Sequence, residues 1–131
     1  MNSIDALETS TRIRVLNDNF RSTFIGGQVV MSAGVADLSL GLRAQVVLKV
    51  QNFTDFNADH DPYGEHDFGS FEVAGETFFW KMDYYDSHCE FGSEDPADPE
   101  KTTRVLTIMF AGVCHPLNST KFFRTPARRI N

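Results

Sequence analysis

Residues 66–85 read HDFGSFEVAGETFFWKMDYY, and this stretch decides the fold class. Phe78, Trp80, Met82 and Tyr84 alternate with Phe79, Lys81, Asp83 and Tyr85, the period of two that belongs to a strand. Ala74 and Gly75 interrupt the run where a two-residue hairpin turn would fall, so 66–73 and 76–85 are expected to pair. Aromatic side chains stand in both phases, and both faces of the hairpin are therefore expected to be at least partly covered.

Downstream, TRVLTIMFAGV at 103–113 repeats the alternation, with Leu106, Ile108 and Phe110 on one side and Val105, Thr107 and Met109 on the other. Upstream the period changes. Ser3 stands as an N-cap before Asp5 and Glu8, and Ile13, Leu16, Phe20 and Phe24 recur at helical spacing, which predicts a long helix ending near Ser22. Gly26-Gly27 precede a short strand at 28–32 (QVVMS). Ser39 then caps a second helix whose stripe is Leu42, Val46, Val50 and Phe53, widened by Val47 and stopping near Asn52. The order α-β-α-β-β-β predicts an α+β fold, two amphipathic helices on a small, mostly antiparallel sheet, as one domain over 1–131.

Composition bounds the function. The chain has 131 residues, 41% of them hydrophobic and 23% charged, with a mean hydropathy of -0.27. No apolar run approaches a membrane span, and the acidic N-terminus lacks the apolar core of a secretory signal, so a cytoplasmic location is expected. Two cysteines, Cys89 and Cys114, are too few for a disulfide framework and are expected as thiols; the sequons at Asn52 and Asn118 read as chance matches.

The net charge of -6 conceals an asymmetry. Residues 1–51 carry a net of +1, residues 52–100 carry fourteen acids against the single base Lys81, and 101–131 carry six bases and no acid. An acidic block repels phosphate backbones and attracts basic protein surfaces. Direct duplex DNA binding through it is not expected. The candidate binding residues are Asp55, Asp59, Asp61, Glu65, Asp67, Asp83, Asp86, Glu90, Glu94 and Asp95, with an aromatic edge at Tyr63, Phe79 and Tyr85. Solubility alone would account for such a block equally simply.

Catalytic and metal signatures are weak. Asp55, Asn57, Asp59 and Asp61 begin like a calcium loop, but position six is His60 instead of Gly and position twelve is His66 instead of Glu. His60, His66, Asp61, Glu65 and Asp67 raise a metal-dependent hydrolase as the alternative, using Asp61, His66, Asp67 and Tyr63. Against it, a strand beginning near Glu65 would send His66 to the face opposite Glu65 and Asp67. Cys89 and Cys114 fall at opposite ends of the last strand in this topology, too far apart for a shared metal or a disulfide. No nucleophile elbow, phosphate loop or dinucleotide fingerprint is present. The aromatics of 78–85 could stack bases, yet they lie in the most acidic third of the chain. No catalytic residue, metal ligand or cofactor is assigned.

Six strings carry a resemblance: R-x-LND-FR (14–21), GG-VV (26–30), AGV (33–35), DPYGEHDFG (61–69), FFWK-DYYD (78–86) and DPADP-TTRVLTIM (95–109). Over 12–112 the chain resembles a family of small bacterial proteins known only as a domain of unknown function, carried on chromosomes and often on plasmids. The resemblance leaves 114–131 outside as a basic C-terminal tail and implies no activity, cofactor or catalytic residue. The expectation that follows is a small acidic, non-enzymatic protein that binds a basic surface on a nucleic-acid-binding partner. Its sharper form is a nucleic-acid mimic, an inhibitor of the anti-restriction or anti-CRISPR type.

Overall fold

The computed structural model describes residues 3–111, with side chains from Leu7 onward. The 114–131 tail and Cys114 lie outside the described residues. The elements are α1 (Ser3–Thr23), β1 (Gly27–Met31), α2 (Ala33–Ala36), α3 (Leu40–Gln51), β2 (Phe68–Val73), β3 (Glu76–Tyr85) and β4 (Thr103–Phe110). They form an α+β fold with one four-stranded sheet in the order β1-β4-β3-β2. β2 and β3 are antiparallel, as are β3 and β4, whereas β1 joins β4 in parallel, making the sheet mixed.

Local chemistry explains most boundaries. Ser39 caps α3, its hydroxyl accepting from the Leu42 N–H at 3.3 Å. β2 begins at Phe68, two residues later than the alternation predicts, because His66 takes a left-handed conformation (φ 56°) that a strand cannot include. The single turn α2, absent from the sequence reading, follows β1 directly and buries Val35. Gly69 is required by close approach: a Cβ there would lie 2.4 Å from Trp80 Nε1 and 2.7 Å from the Phe53 ring.

The core lies on one face of the sheet. Phe20 of α1, Val35 of α2 and Val46 and Val50 of α3 pack on Phe78, Trp80, Met82, Leu106 and Ile108, the strand phase that the sequence assigns together. Trp80 is fully buried, with Phe53 and Phe56 edge-on to it at 5.6 and 6.2 Å. β4 is buried on both faces, as expected for a central strand.

The hairpin turn places Ala74 (φ 54°) before Gly75 (φ 80°), so both central residues of the turn are left-handed. An alanine there is strained where Asn or Gly would not be. Ala74→Asn is expected to raise stability by about 1 kcal/mol, read from urea denaturation; an unchanged midpoint would show that the turn carries no strain.

Candidate functional site

The polar face of α1 is turned inward at one end of the sheet. Ile13 and Phe20 set the buried stripe, and Asn17 and Arg21, at helical spacing between and beside them, are carried into the protein with it, 0% and 5% exposed. Arg21 donates from Nε to the Val50 carbonyl and from Nη2 to the Phe53 carbonyl, at 3.1 and 3.2 Å. It thereby satisfies carbonyls where α3 ends, while its Nη1 pairs with Asp18 at 3.0 Å and its plane faces Phe56 and Trp80.

Asn17 is the hub. Its Oδ1 accepts from Arg104 Nε at 2.7 Å; its Nδ2 donates to the Glu65 carbonyl at 3.0 Å and to the Tyr84 hydroxyl at 2.8 Å. The Tyr84 hydroxyl in turn donates a hydrogen bond to Glu65 Oε1, at 3.2 Å. Arg104, buried by its neighbours, also donates to the Pro96 carbonyl and faces the Tyr84 ring at 5.3 Å. Burial pulls the Arg104 pKa down, against the opposing pull of Tyr84 and Glu65, and pushes that of Tyr84 up.

Beside this hub His66 is stacked on Phe56, ring centroids 3.6 Å apart and planes 2° from parallel. Its Nδ1 meets Asp18 at 2.9 Å and its Nε2 faces Asp61 Oδ2 at 3.8 Å. Asp61 is buried, and its Oδ1 accepts the Glu65 and His66 N–H groups at 2.9 and 3.1 Å. The left-handed turn at His66 aims its ring at α1, so the expectation of a strand-like face opposite Glu65 and Asp67 is replaced by this geometry. Among the described residues no group of three or more His, Cys, Asp and Glu is disposed to hold a metal ion. A groove of about 600 Å³ lies between α3 and β2, walled by Leu48, Phe53, Asp55 and Phe71; neither His66 nor Asp61 lines it.

The ten candidate acids separate by task. Asp86 Oδ1 accepts from the His88 and Glu90 N–H groups, and Asp95 Oδ1 from that of Ala97, so these carboxylates close turns. The backbone N–H of Glu90 is the main reason that the Asp86 carboxyl is held below the usual range. Asp83 pairs with Lys81. Glu65 and Asp67 are half-buried, whereas Asp55, Asp59, Glu90 and Glu94 are exposed. Of the aromatic edge, Tyr63 is 76% exposed on the 54–67 loop, while Phe79 and Tyr85 are half-buried on the sheet. Asn17, Arg21 and Arg104 were not singled out by sequence reasoning; the legible signal was the fall of 13, 17, 20 and 24 on one helical face.

Topology gathers the acids. The 54–67 loop enters β2 and the 86–102 connection joins β3 to β4; the register Phe68↔Lys81 and Tyr85↔Thr103 puts both at the same end of the sheet. Eleven of the fourteen acids of 52–100 stand in these two segments.

A family model described as a protein of unknown function (DUF3768) matches residues 31–112, more than half of the chain. The chain belongs to that family. The matched span contains both acidic segments, Tyr84 and Arg104, while α1, which supplies Asn17, precedes it. Among curated proteins and among solved structures, none matches. Among the described residues, no helix is long and apolar enough to cross a membrane.

Two outcomes follow from the hub. Asn17→Ala leaves buried Arg104 and Tyr84 short of partners and is expected to cost about 3 kcal/mol, whereas Asn19→Ala, exposed on the same helix, should cost less than about 0.5 kcal/mol; urea midpoints compare them. Burial first, then neighbouring acids, raises the Glu65 and Asp67 pKa values above their ordinary 4.5 and 3.8. Both groups bind protons more tightly folded than unfolded, so their contribution is complete below the ordinary values and is lost as pH rises through the raised ones. Glu65→Gln, which keeps an oxygen for Tyr84, is expected to lessen the fall in Tm between about pH 4 and about pH 7.

Proposed function

We propose that the protein is a small acidic binding protein without catalytic activity, which engages a basic surface on a partner that itself handles nucleic acid. The observation that supports this reading is the convergence of the 54–67 and 86–102 segments at one end of the sheet. On these two segments the carboxylates of Asp55, Asp59, Glu90, Glu94 and Glu100 are exposed. Lys101 lies near Glu94, at 3.8 Å, an exposed pair that salt screens readily. Carboxylates held on hydrogen-bonded turns meet a basic groove with little ordering cost, as a phosphate backbone would. In this reading the protein occupies the partner's nucleic-acid site and inhibits it, in the manner of anti-restriction or anti-CRISPR proteins.

The test is a pull-down from host lysate with the wild type and a neutralised variant (Asp55→Asn, Asp59→Asn, Glu90→Gln, Glu94→Gln, Glu100→Gln). Each captured partner is then assayed for displacement of labelled duplex DNA or RNA by the wild type. A partner lost in the variant, bound more weakly at high salt and released from nucleic acid by the wild type, is the expected result. Capture unchanged by the variant, or nucleic acid left bound, would sink the proposal. Stoichiometric metal in the purified protein, with no partner, would favour the hydrolase alternative built on Asp61, His66, Asp67 and Tyr63.

A further inference from the structure

β2 is an edge of the sheet, and among the described residues no strand pairs with its outer side. The Met82 N–H donates to the Asp67 carbonyl at 2.8 Å, one register step before Phe68↔Lys81, and this phase sets which residues of β2 bond to β3. In an antiparallel pair those bonds fall on alternate residues, so Gly69, Phe71 and Val73 turn their N–H and C=O groups toward β3, while Phe68, Ser70 and Glu72 turn theirs outward. The hairpin gives the same phase, because Val73 and Glu76 close its two-residue turn. β2 carries neither the Pro nor the bulge that commonly blunts such an edge. Beside it, on the helix side, runs the groove of about 600 Å³ whose wall includes Leu48, Phe53 and Phe71. Leu48 is 56% exposed there, an aliphatic side chain that the fold itself leaves uncovered.

We propose that β2 accepts an extended, basic segment of a partner protein as a fifth strand, with alternate apolar side chains seated in the groove between α3 and β2. The outward groups of Phe68, Ser70 and Glu72 meet the main chain of that segment, whatever its sequence. A strand laid along β2 sends every second side chain to the helix side, where Leu48 and Phe71 receive it. Charge decides the rest of the occupant's chemistry. Asp55 walls the groove, and Glu72 and Glu76 are exposed on β2 and just beyond it, against Lys49 alone. A second copy of this chain would bring the same acids and its own net charge of -6 to the edge, so the complementary occupant is a segment with Lys or Arg between its apolar residues. The site shares only Asp55 with the carboxylates assigned above to a nucleic-acid-handling partner, and its occupant need not handle nucleic acid.

The test is amide hydrogen exchange, read by NMR on the full-length chain, with the capped heptapeptide Lys-Leu-Thr-Leu-Lys-Leu-Lys. Beside it stands the same peptide N-methylated throughout, which keeps the charges and removes the donors. Exchange at Phe68, Ser70 and Glu72 is expected to slow at least about tenfold with the first peptide and not with the second. Ser70→Pro, which removes an outward donor that an edge strand can spare, is expected to abolish this protection with the urea midpoint nearly unchanged. If that variant fails to fold, Leu48→Lys replaces it, its charge in the groove expected to weaken peptide binding at least about tenfold. No protection at the three amides of the wild type overturns the proposal, as does equal protection by the N-methylated peptide. Protection that appears without peptide and grows with protein concentration also overturns it, giving the edge to a second copy. Peptide-induced shifts confined to 54–67 and 86–102 overturn it too, and leave the proposed role of those acidic segments intact.

Discussion

Both acidic segments hang from one buried hydrogen bond, Arg104 Nε to the Asn17 side-chain oxygen, which joins positions 87 residues apart. Asn17 grips the first segment through the Glu65 carbonyl, and Arg104 grips the second through the carbonyl of Pro96. A guanidinium taken out of water is costly unless its donors are met. Among the described residues Arg104 forms no salt bridge; a side-chain amide, a main-chain carbonyl and the face of Tyr84 stand in for one. That demand for partners holds α1, β3, β4 and both loops in one register.

The acid-rich composition has two sources that the charge count cannot separate. Asp61, Asp86, Asp95 and Asp98 accept backbone N–H groups two to five residues ahead, the usual service of Asp in turns, and a loop without regular structure needs such acceptors. The exposed acids have no such duty. The hydrogen-bonded turns give the loops that carry those exposed carboxylates a fixed frame.

His66 shows how a single backbone choice redirects a site. Treated as a strand residue it faces away from Glu65 and Asp67; in the left-handed region it turns toward α1, where its ring lies flat on Phe56 between Asp18 and Asp61. Gly69 and Trp80 illustrate the complementary constraint. The indole sits where any side chain at 69 would be, so the DFG sequence at 67–69 serves packing under the loop.

What the sequence determined by itself is most of what acts over a few residues, the short α2 and the left-handed His66 excepted. Alternation at 76–85 and 103–110, the cap at Ser39, the turn at Ala74-Gly75 and the helical stripe from Ile13 all stand in the structure, with the fold class that they imply. Tertiary structure alone decided that β1 inserts in parallel beside β4, that β4 is therefore central, and that both acidic segments leave the same end of the sheet. Strand order is set by pairing between distant segments, whose gain depends on burying both faces of β4 and on meeting Arg104 with Asn17. Strand pairing leaves no periodic trace, and although helical spacing puts Asn17 on the face of Ile13 and Phe20, nothing local names Arg104 as its partner, so polar Asn17 and Arg21 read as surface residues until the helix that carries them is packed.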